Sequence, residues 1–189
     1  RLVYDGTEHF SIAAVSPEMQ ELTVVINGVS KAYAMTGWRL GYAAGPANVI
    51  AAAGRVQEHA TSCVNSITQK ACVTALAEED DSIEAMRLEF EQRRNFMFEE
   101  LGKIPNLTCF KPMGAFYIFP DISWYLQNNN CGITTTDQFC DKLLETKFVA
   151  LVSGSSFGSP TTVRFSYANS MSNLREGVKR FKEFLSEMI

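Results

Sequence analysis

Leu22-Thr-Val-Val-Ile-Asn-Gly-Val-Ser-Lys31-Ala-Tyr-Ala-Met-Thr-Gly-Trp-Arg39-Leu-Gly-Tyr42 is the stretch on which the reading of this chain turns. Across residues 22–54 the only charged side chains are Lys31 and Arg39. The chain as a whole is 20% charged, so about 6 or 7 charges of both signs are expected over such a length. Two cations and no anion in an apolar, small-residue segment describe a place for an anion. Residues 22–27 form a charge-free β-branched run that predicts a strand buried on both faces, broken at Gly28. Residues 38–43 predict a second buried strand, closed by Gly45-Pro46. Lys31 then falls in the connection between two strands, where chemistry is often sited.

A buried, unpaired ammonium is costly, and burial favours the neutral, nucleophilic amine that carbonyl compounds capture. The alternative is a lysine whose stem lies along the loop while its ammonium reaches water. Arg39 keeps its charge in any environment, so at the head of an apolar strand it needs a partner. A bidentate anion would serve, and so would a buried salt bridge. Arg164 is the only charge between Lys147 and Arg175; it could clamp a carboxylate or tie two elements together.

Outward from this stretch the chain of 189 residues, 46% of them hydrophobic, is long enough for one large domain or two small ones. A net charge of −4 gives no basic surface for nucleic acid. Five cysteines without a C-x-x-C pair and only two histidines give no metal-ligand spacing, and they fit a reducing cytoplasm. No apolar run reaches the ~18 residues of a membrane helix. The chain opens on Arg1-Leu-Val-Tyr4 rather than Met, which reads as a cut through a larger protein.

Ser16-Pro17-Glu18 predicts a helical turn, and residues 47–60 an alanine-rich helix led by Pro46. Residues 65–79 predict another, with Ile67, Ala71, Thr74, Ala75 and Leu76 on one side. Asp81 with Glu84 reads as the cap of a long amphipathic helix. Ile83, Met86, Phe90, Met97, Leu101 and Ile104 form its apolar stripe; Arg87, Glu89, Glu91, Arg93, Arg94, Glu99 and Glu100 form a solvated face. Residues 107–110 and 115–119 predict a hairpin. Thr135 and Gln138 cap a helix with Phe139, Leu143 and Leu144 inward. Residues 148–152 and 162–167 predict strands, and Ser170 or Ser172 caps a last helix carrying Leu174, Val178, Phe181, Leu185 and Met188.

The segment Asn27-Gly-Val-Ser-Lys31 through Arg39-Leu-Gly-Tyr42 resembles the cofactor-lysine segment of the fold-type I pyridoxal-phosphate aminotransferases, aspartate aminotransferase-like branch. A small residue precedes the lysine and an arginine follows eight residues later, with an aliphatic residue and Gly behind it. Lys111-Pro-Met-Gly-Ala-Phe-Tyr117 resembles the family's small-domain hairpin. Ser153-Gly-Ser-Ser-Phe-Gly158 resembles its Pro-Gly-x-x-Phe-Gly loop, with Ser153 in place of proline. Val163-Arg-Phe-Ser-Tyr-Ala168 resembles the strand whose arginine binds the substrate α-carboxylate.

The resemblance implies an α/β fold: part of the large-domain mixed sheet with flanking helices (residues 1–80), a long connecting helix (81–104), and the small α+β C-terminal domain (105–189). It implies pyridoxal 5'-phosphate held as a Schiff base on Lys31, which then shuttles the α-proton. Arg39 would hold the cofactor phosphate, with the Ser30 hydroxyl beside it, and Arg164 would orient the substrate carboxylate. Many relatives carry a phosphate-binding serine where this chain has Gly28. The implied partners are an amino acid and a 2-oxo acid, in a homodimeric, cytoplasmic parent enzyme with no metal, nucleic acid or membrane. The family's pyridine-nitrogen Asp and Gly-rich phosphate turn would lie upstream, so the chain is expected to be the C-terminal half and inactive alone. A β-lyase of the same fold and a non-catalytic aminotransferase-like sensor domain remain alternatives.

Overall fold

The structure, a computed structural model, describes residues 1–78 and 80–189. Two compact units share the chain: Arg1 with Gly6–Arg87, and Leu2–Asp5 with Leu88–Ile189.

In the first unit Ser16 caps α1 (Pro17–Glu21), its Oγ accepting from the Met19 N–H at 3.2 Å. Strands β1 (Val25–Gly28) and β2 (Gly41–Ala44) pair antiparallel, with Val25 opposite Ala44 and Gly28 opposite Gly41. Between them run α2 (Val29–Ala32) and a 3-10 turn, Thr36–Trp38. Helices α3 (Ala47–Ala60) and α4 (Ser66–Glu78) follow. The expectation that β1 and β2 are buried on both faces is not met: Ile26 is 82% exposed and every residue of β2 is exposed. A β-branched run records apolar side chains, but burial needs covering layers, and among the described residues each of these strands pairs only with the other. Arg39 does not begin a strand; it lies past the 3-10 turn, with φ 54. In α4 the buried side is Thr68, Cys72 and Ala75, while Ile67 and Leu76 are exposed. The expected end of this helix at Glu79 lies outside the described residues.

Helix α5 (Asp80–Gly102) contributes residues to both units. Asp81 lies inside it rather than at its cap. Its stripe is buried at Ile83, Met97 and Leu101, with Ile104 just beyond the helix. Arg94, expected on the solvated face, is fully buried in the second unit. Its Nη1 and Nη2 donate to the two Asp5 carboxylate oxygens at 2.8 and 2.9 Å, and Nη1 also donates to the Pro112 carbonyl at 2.9 Å. The guanidinium carbon lies 4.8 Å from the centre of the Tyr4 ring. Helical spacing offers only Glu91, whose Oε1 accepts from Arg94 Nη2 at 3.2 Å, while the carboxylate that meets both Nη atoms comes from 89 residues away.

Residues 2–5 thereby run beside residues 113–115. Val3 bridges Gly114, the Tyr4 N–H donates to Met113 O at 3.0 Å, and the Ala115 N–H donates to Leu2 O at 2.9 Å. A Cβ on Gly114 would stand 2.9 Å from Leu2 O, so only glycine allows this approach. The expected hairpin of residues 107–110 with 115–119 does not form. Thr108 bridges Asp121 instead, and β3 (Tyr117–Ile118) pairs with the strand at residues 163–166.

The second unit continues with α6 (Ser123–Gln127), which the sequence reading missed, and α7 (Thr136–Lys147), where Thr135 and Gln138 complete a capping box. Phe139 and Leu143 point inward as expected; Leu144 is 49% exposed. Strands β4 (Val152–Ser153) and β5 (Val163–Ser166) give an antiparallel sheet in the order β3-β5-β4. Ser170 caps α8 (Met171–Met188), whose Leu174, Val178, Phe181, Leu185 and Met188 are all buried. The Phe139 ring meets the edges of Phe181 and Phe184 at 6.0 and 5.2 Å, and Phe165 meets Phe181 at 5.0 Å. Such edge-to-face pairs add about 0.5–1.5 kcal/mol each beyond their buried area.

The Asp5 carboxyl is lowered to about 2, first by its hydrogen bonds from Arg94 and then by Lys111. Glu100 is lowered to about 2 by Lys103 and Lys182. A carboxyl depressed in the folded state contributes its stability above the unfolded value and loses it as pH falls toward the folded one. The second unit should therefore lose stability between about pH 4 and about pH 2. Asp5→Asn, which takes from the buried Arg94 the carboxylate that meets both of its Nη atoms, should lower Tm at pH 7 and differ little from wild type near pH 2. Thermal melts followed by circular dichroism at stepped pH check both.

Candidate active site

Lys31 sits in the third position of α2, directly after β1. The helix is nucleated by Val29, the one buried residue in it, and its start at Gly28 has no side-chain cap. The Lys31 side chain projects from this short turn and the residue is exposed, so the expected burial of its ammonium is not met. Among the described residues it meets no carboxylate.

Two hydrogen bonds fold the β1–β2 connection back on itself. The Thr36 Oγ1 hydroxyl donates to the Ser30 carbonyl at 3.0 Å, and Arg39 Nη1 donates to the Thr36 carbonyl at 3.0 Å. The arginine is thus linked through Thr36 to the residue beside Lys31. Its left-handed backbone, disfavoured for a side chain with a Cβ, belongs to the same turn. Ser30 contributes its carbonyl here. Arg1 also reaches this connection, donating to the Tyr33 hydroxyl at 3.3 Å with its guanidinium 5.9 Å from the ring centre. Arg39 lines a cavity of about 820 Å³ with Trp38, Gln57, Thr61, Asn65 and Thr68. The structure thus brings Ser30, Lys31 and Arg39 into one connection, with Arg1 as a further cation that sequence spacing did not reveal. Arg1 lies 30 residues from Lys31 in the chain, and no local pattern links them.

Gly28 and Gly41 face each other across the β1–β2 pair. A Cβ on Gly28 would lie 3.0 Å from Leu40 O and 3.4 Å from the Gly41 Cα, both backbone atoms. The missing serine at this position therefore coincides with a close approach of two strands.

Arg164 belongs to the second unit. Along β5 Val163 and Phe165 are buried while Arg164 is half-buried and Ser166 exposed, the alternation of a strand with one face on a core. Its guanidinium carbon lies 4.4 Å from the centre of the Tyr117 ring and 4.5 Å from that of Phe157. Among the described residues Arg164, like Arg39, meets no carboxylate. Ser153, the residue in place of the family's proline, is buried and shares a hydroxyl chain: Thr136 Oγ1 at 2.7 Å on one side and Ser155 Oγ at 2.7 Å on the other. Its Oγ also accepts from the Ser155 N–H at 3.3 Å, capping the 3-10 turn Gly154–Phe157. Hydrogen bonds thus hold a turn that a proline would otherwise stiffen.

Comparison with known proteins gives consistent findings. The family model described as aminotransferase class I and II matches residues 1–181. An aspartate aminotransferase of Geobacillus stearothermophilus is 46% identical over 185 residues, 98% of this chain and 47% of that protein. One from Bacillus subtilis (strain 168) is 44% identical over 187 residues, 99% of this chain and 47% of that protein. The crystal structure of the aspartate aminotransferase from Rhizobium meliloti matches with a TM-score of 0.93 at 41% identity, covering 100% of this chain and 48% of that one. The chain spans about half the length of the curated relatives it matches.

Two glycines of these sites should not tolerate a methyl group. Gly28→Ala forces β1 against the β2 backbone and should cost about 1 kcal/mol, read by urea unfolding through Trp38 fluorescence in a Trp124→Phe background. At Gly154 a Cβ would collide with Thr162 Oγ1, Thr162 O and Ser159 O, so Gly154→Ala should cost about 1–3 kcal/mol in the same assay followed through Trp124.

Proposed function

The chain belongs to the class I and II aminotransferases, and we propose that the protein it comes from moves an amino group between an amino acid and a 2-oxo acid on pyridoxal 5'-phosphate. Residues 1–80 are then the C-terminal part of the cofactor-binding large domain, 81–104 the connecting helix and 105–189 the small domain. The observation that carries the reading is the folding of the Lys31–Arg39 connection: a primary amine and a guanidinium on one short turn, with no acidic side chain between them.

That donor set fits a phosphorylated aldehyde. An aldehyde requires an amine to hold it covalently, and a phosphate dianion requires a fixed cation with several N–H donors. When bound, the cofactor supplies an electron sink for the substrate Cα. Lys31 Nζ holds the cofactor and, when free of it, takes the proton from the substrate Cα and returns it on the other side of the exchange. Arg39 donates to the phosphate with the N–H groups that Thr36 does not take, and the Ser30 hydroxyl is a further donor. Arg164 orients the substrate by its α-carboxylate through paired N–H···O bonds. Aspartate is the first amino donor to assay, because the relatives named above are aspartate aminotransferases.

Borohydride reduction of the full-length protein with pyridoxal phosphate, followed by peptide mapping, should place the label on Lys31 alone. Aspartate with 2-oxoglutarate should give oxaloacetate and glutamate, and Lys31→Ala should abolish this. Label on another lysine, or release of ammonia and pyruvate from a substrate with a leaving group on Cβ, such as cysteine, with no amino-group exchange from aspartate, would overturn the proposal.

A further inference from the structure

Resting on the reading that Arg164 holds the substrate carboxylate, we propose that Tyr117 and Phe157 are positioning residues. Their rings bracket the Arg164 guanidinium and fix its plane, leaving its N–H edge to the carboxylate.

The bracket follows from sheet register. Tyr117 on β3 is opposite Ser166 on β5, and Arg164 lies two residues before Ser166, so all three share one face of the sheet. The opposite face carries Ile118, Val163 and Phe165, all buried. Phe157 comes from outside the sheet, at the end of the 3-10 turn Gly154–Phe157, and its ring centre lies 4.5 Å from the guanidinium carbon. That turn is locked by three backbone bonds: Gly154 N–H to Thr162 O, Ser159 N–H to Gly154 O and Gly158 N–H to Ser155 O, at 2.8, 2.9 and 3.1 Å. Gly158, at φ +76, ends it. Each ring is itself supported: Phe119 meets Phe157 nearly edge-on at 5.7 Å, and Phe116 lies 4.4 Å from Tyr117.

Both rings lie within the ~6 Å at which a guanidinium is held over an aromatic face. Such contact uses the faces of the cation and takes none of its hydrogen bonds. Paired N–H···O recognition needs a guanidinium whose plane is set before the carboxylate arrives. An acidic neighbour would set that plane too, but by occupying the donors that the substrate needs. Two rings set it and leave the edge open.

The test uses the full-length protein, with steady-state kinetics on aspartate and 2-oxoglutarate and binding of succinate, an unreactive dicarboxylate. Phe157→Leu and Tyr117→Leu should each raise KM for both substrates and Kd for succinate by roughly tenfold, with kcat within about twofold. Phe157→Tyr and Tyr117→Phe, which keep the rings, should stay at the wild-type values. The Arg164 side-chain ¹⁵Nε order parameter should fall on Phe157→Leu, from above about 0.8 to below about 0.6. If Arg164→Gln leaves KM and Kd unchanged, the carboxylate reading itself fails. If Arg164→Gln raises them but the leucine variants do not, or if the ring-keeping variants are as impaired as the leucine ones, the bracket is wrong and the carboxylate reading stands.

Discussion

An arginine cannot shed its charge, so wherever the fold draws one out of water it must supply something in return. The second unit is organised around the most extreme case. Arg94 has no exposed surface, and it is met by both oxygens of Asp5, the Pro112 carbonyl and the Tyr4 ring. Removing one partner of such a pair is far costlier than never having buried it. Residues 2–5 are therefore bound to residues 113–115, and the consequences continue along the chain. The Ala115 carbonyl accepts from the hydroxyls of both Tyr4 and Tyr167, and Ala115 itself is held at φ 62. Immediately after it come Phe116 and Tyr117, so the register that delivers Tyr117 to Arg164 begins at the buried ion pair.

What the sequence made legible was what local periodicity and composition record. Helices α7 and α8 were readable because cap and stripe agree: Thr135 with Gln138, and Ser170 ahead of Leu174 to Met188. The Lys31–Arg39 segment stood out because it is poor in charge. Features made by distant partners were not readable. Arg94 reads as solvated because nothing within a helical turn announces Asp5. The 107–119 hairpin was predicted from two apolar runs separated by Pro and Gly, but Gly114 is matched to Val3, 111 residues away. β1 and β2 show the complementary error: their residues are apolar, as read, yet Ile26 is 82% exposed, because composition reports what a strand would bury and not what is present to cover it.

Three arginines show how differently one charge can be accommodated. Arg94 is paired with the Asp5 carboxylate, and its bonds to Asp5 and Pro112 hold the fold. Arg39 is exposed and gives one N–H to a backbone carbonyl, an acceptor that carries no net charge. Arg164 is half-buried and sandwiched by rings, which attract the cation through their quadrupoles without cancelling it. Among the described residues the latter two meet no carboxylate, whereas the Nη atoms of Arg94 are taken by Asp5 and Pro112. Burial and hydrogen-bond partners therefore separate an arginine that holds the fold from the two proposed to bind ligands, where sequence context could not.

The same reasoning orders the roles of Lys31 and Arg39. A guanidinium needs no change of state to hold a phosphate, so an exposed Arg39 on a turn tied to Ser30 is already in the form that the task requires. An amine that is to bond a carbonyl must be unprotonated when it does so. Under the proposed function Lys31 therefore asks more of its surroundings than Arg39 does: exclusion of water and nearby cations. Within the first unit Arg39 and Arg1 are the cations tied to the same β1–β2 connection, through Thr36 and Tyr33. Exclusion of water from Lys31 is the remaining requirement.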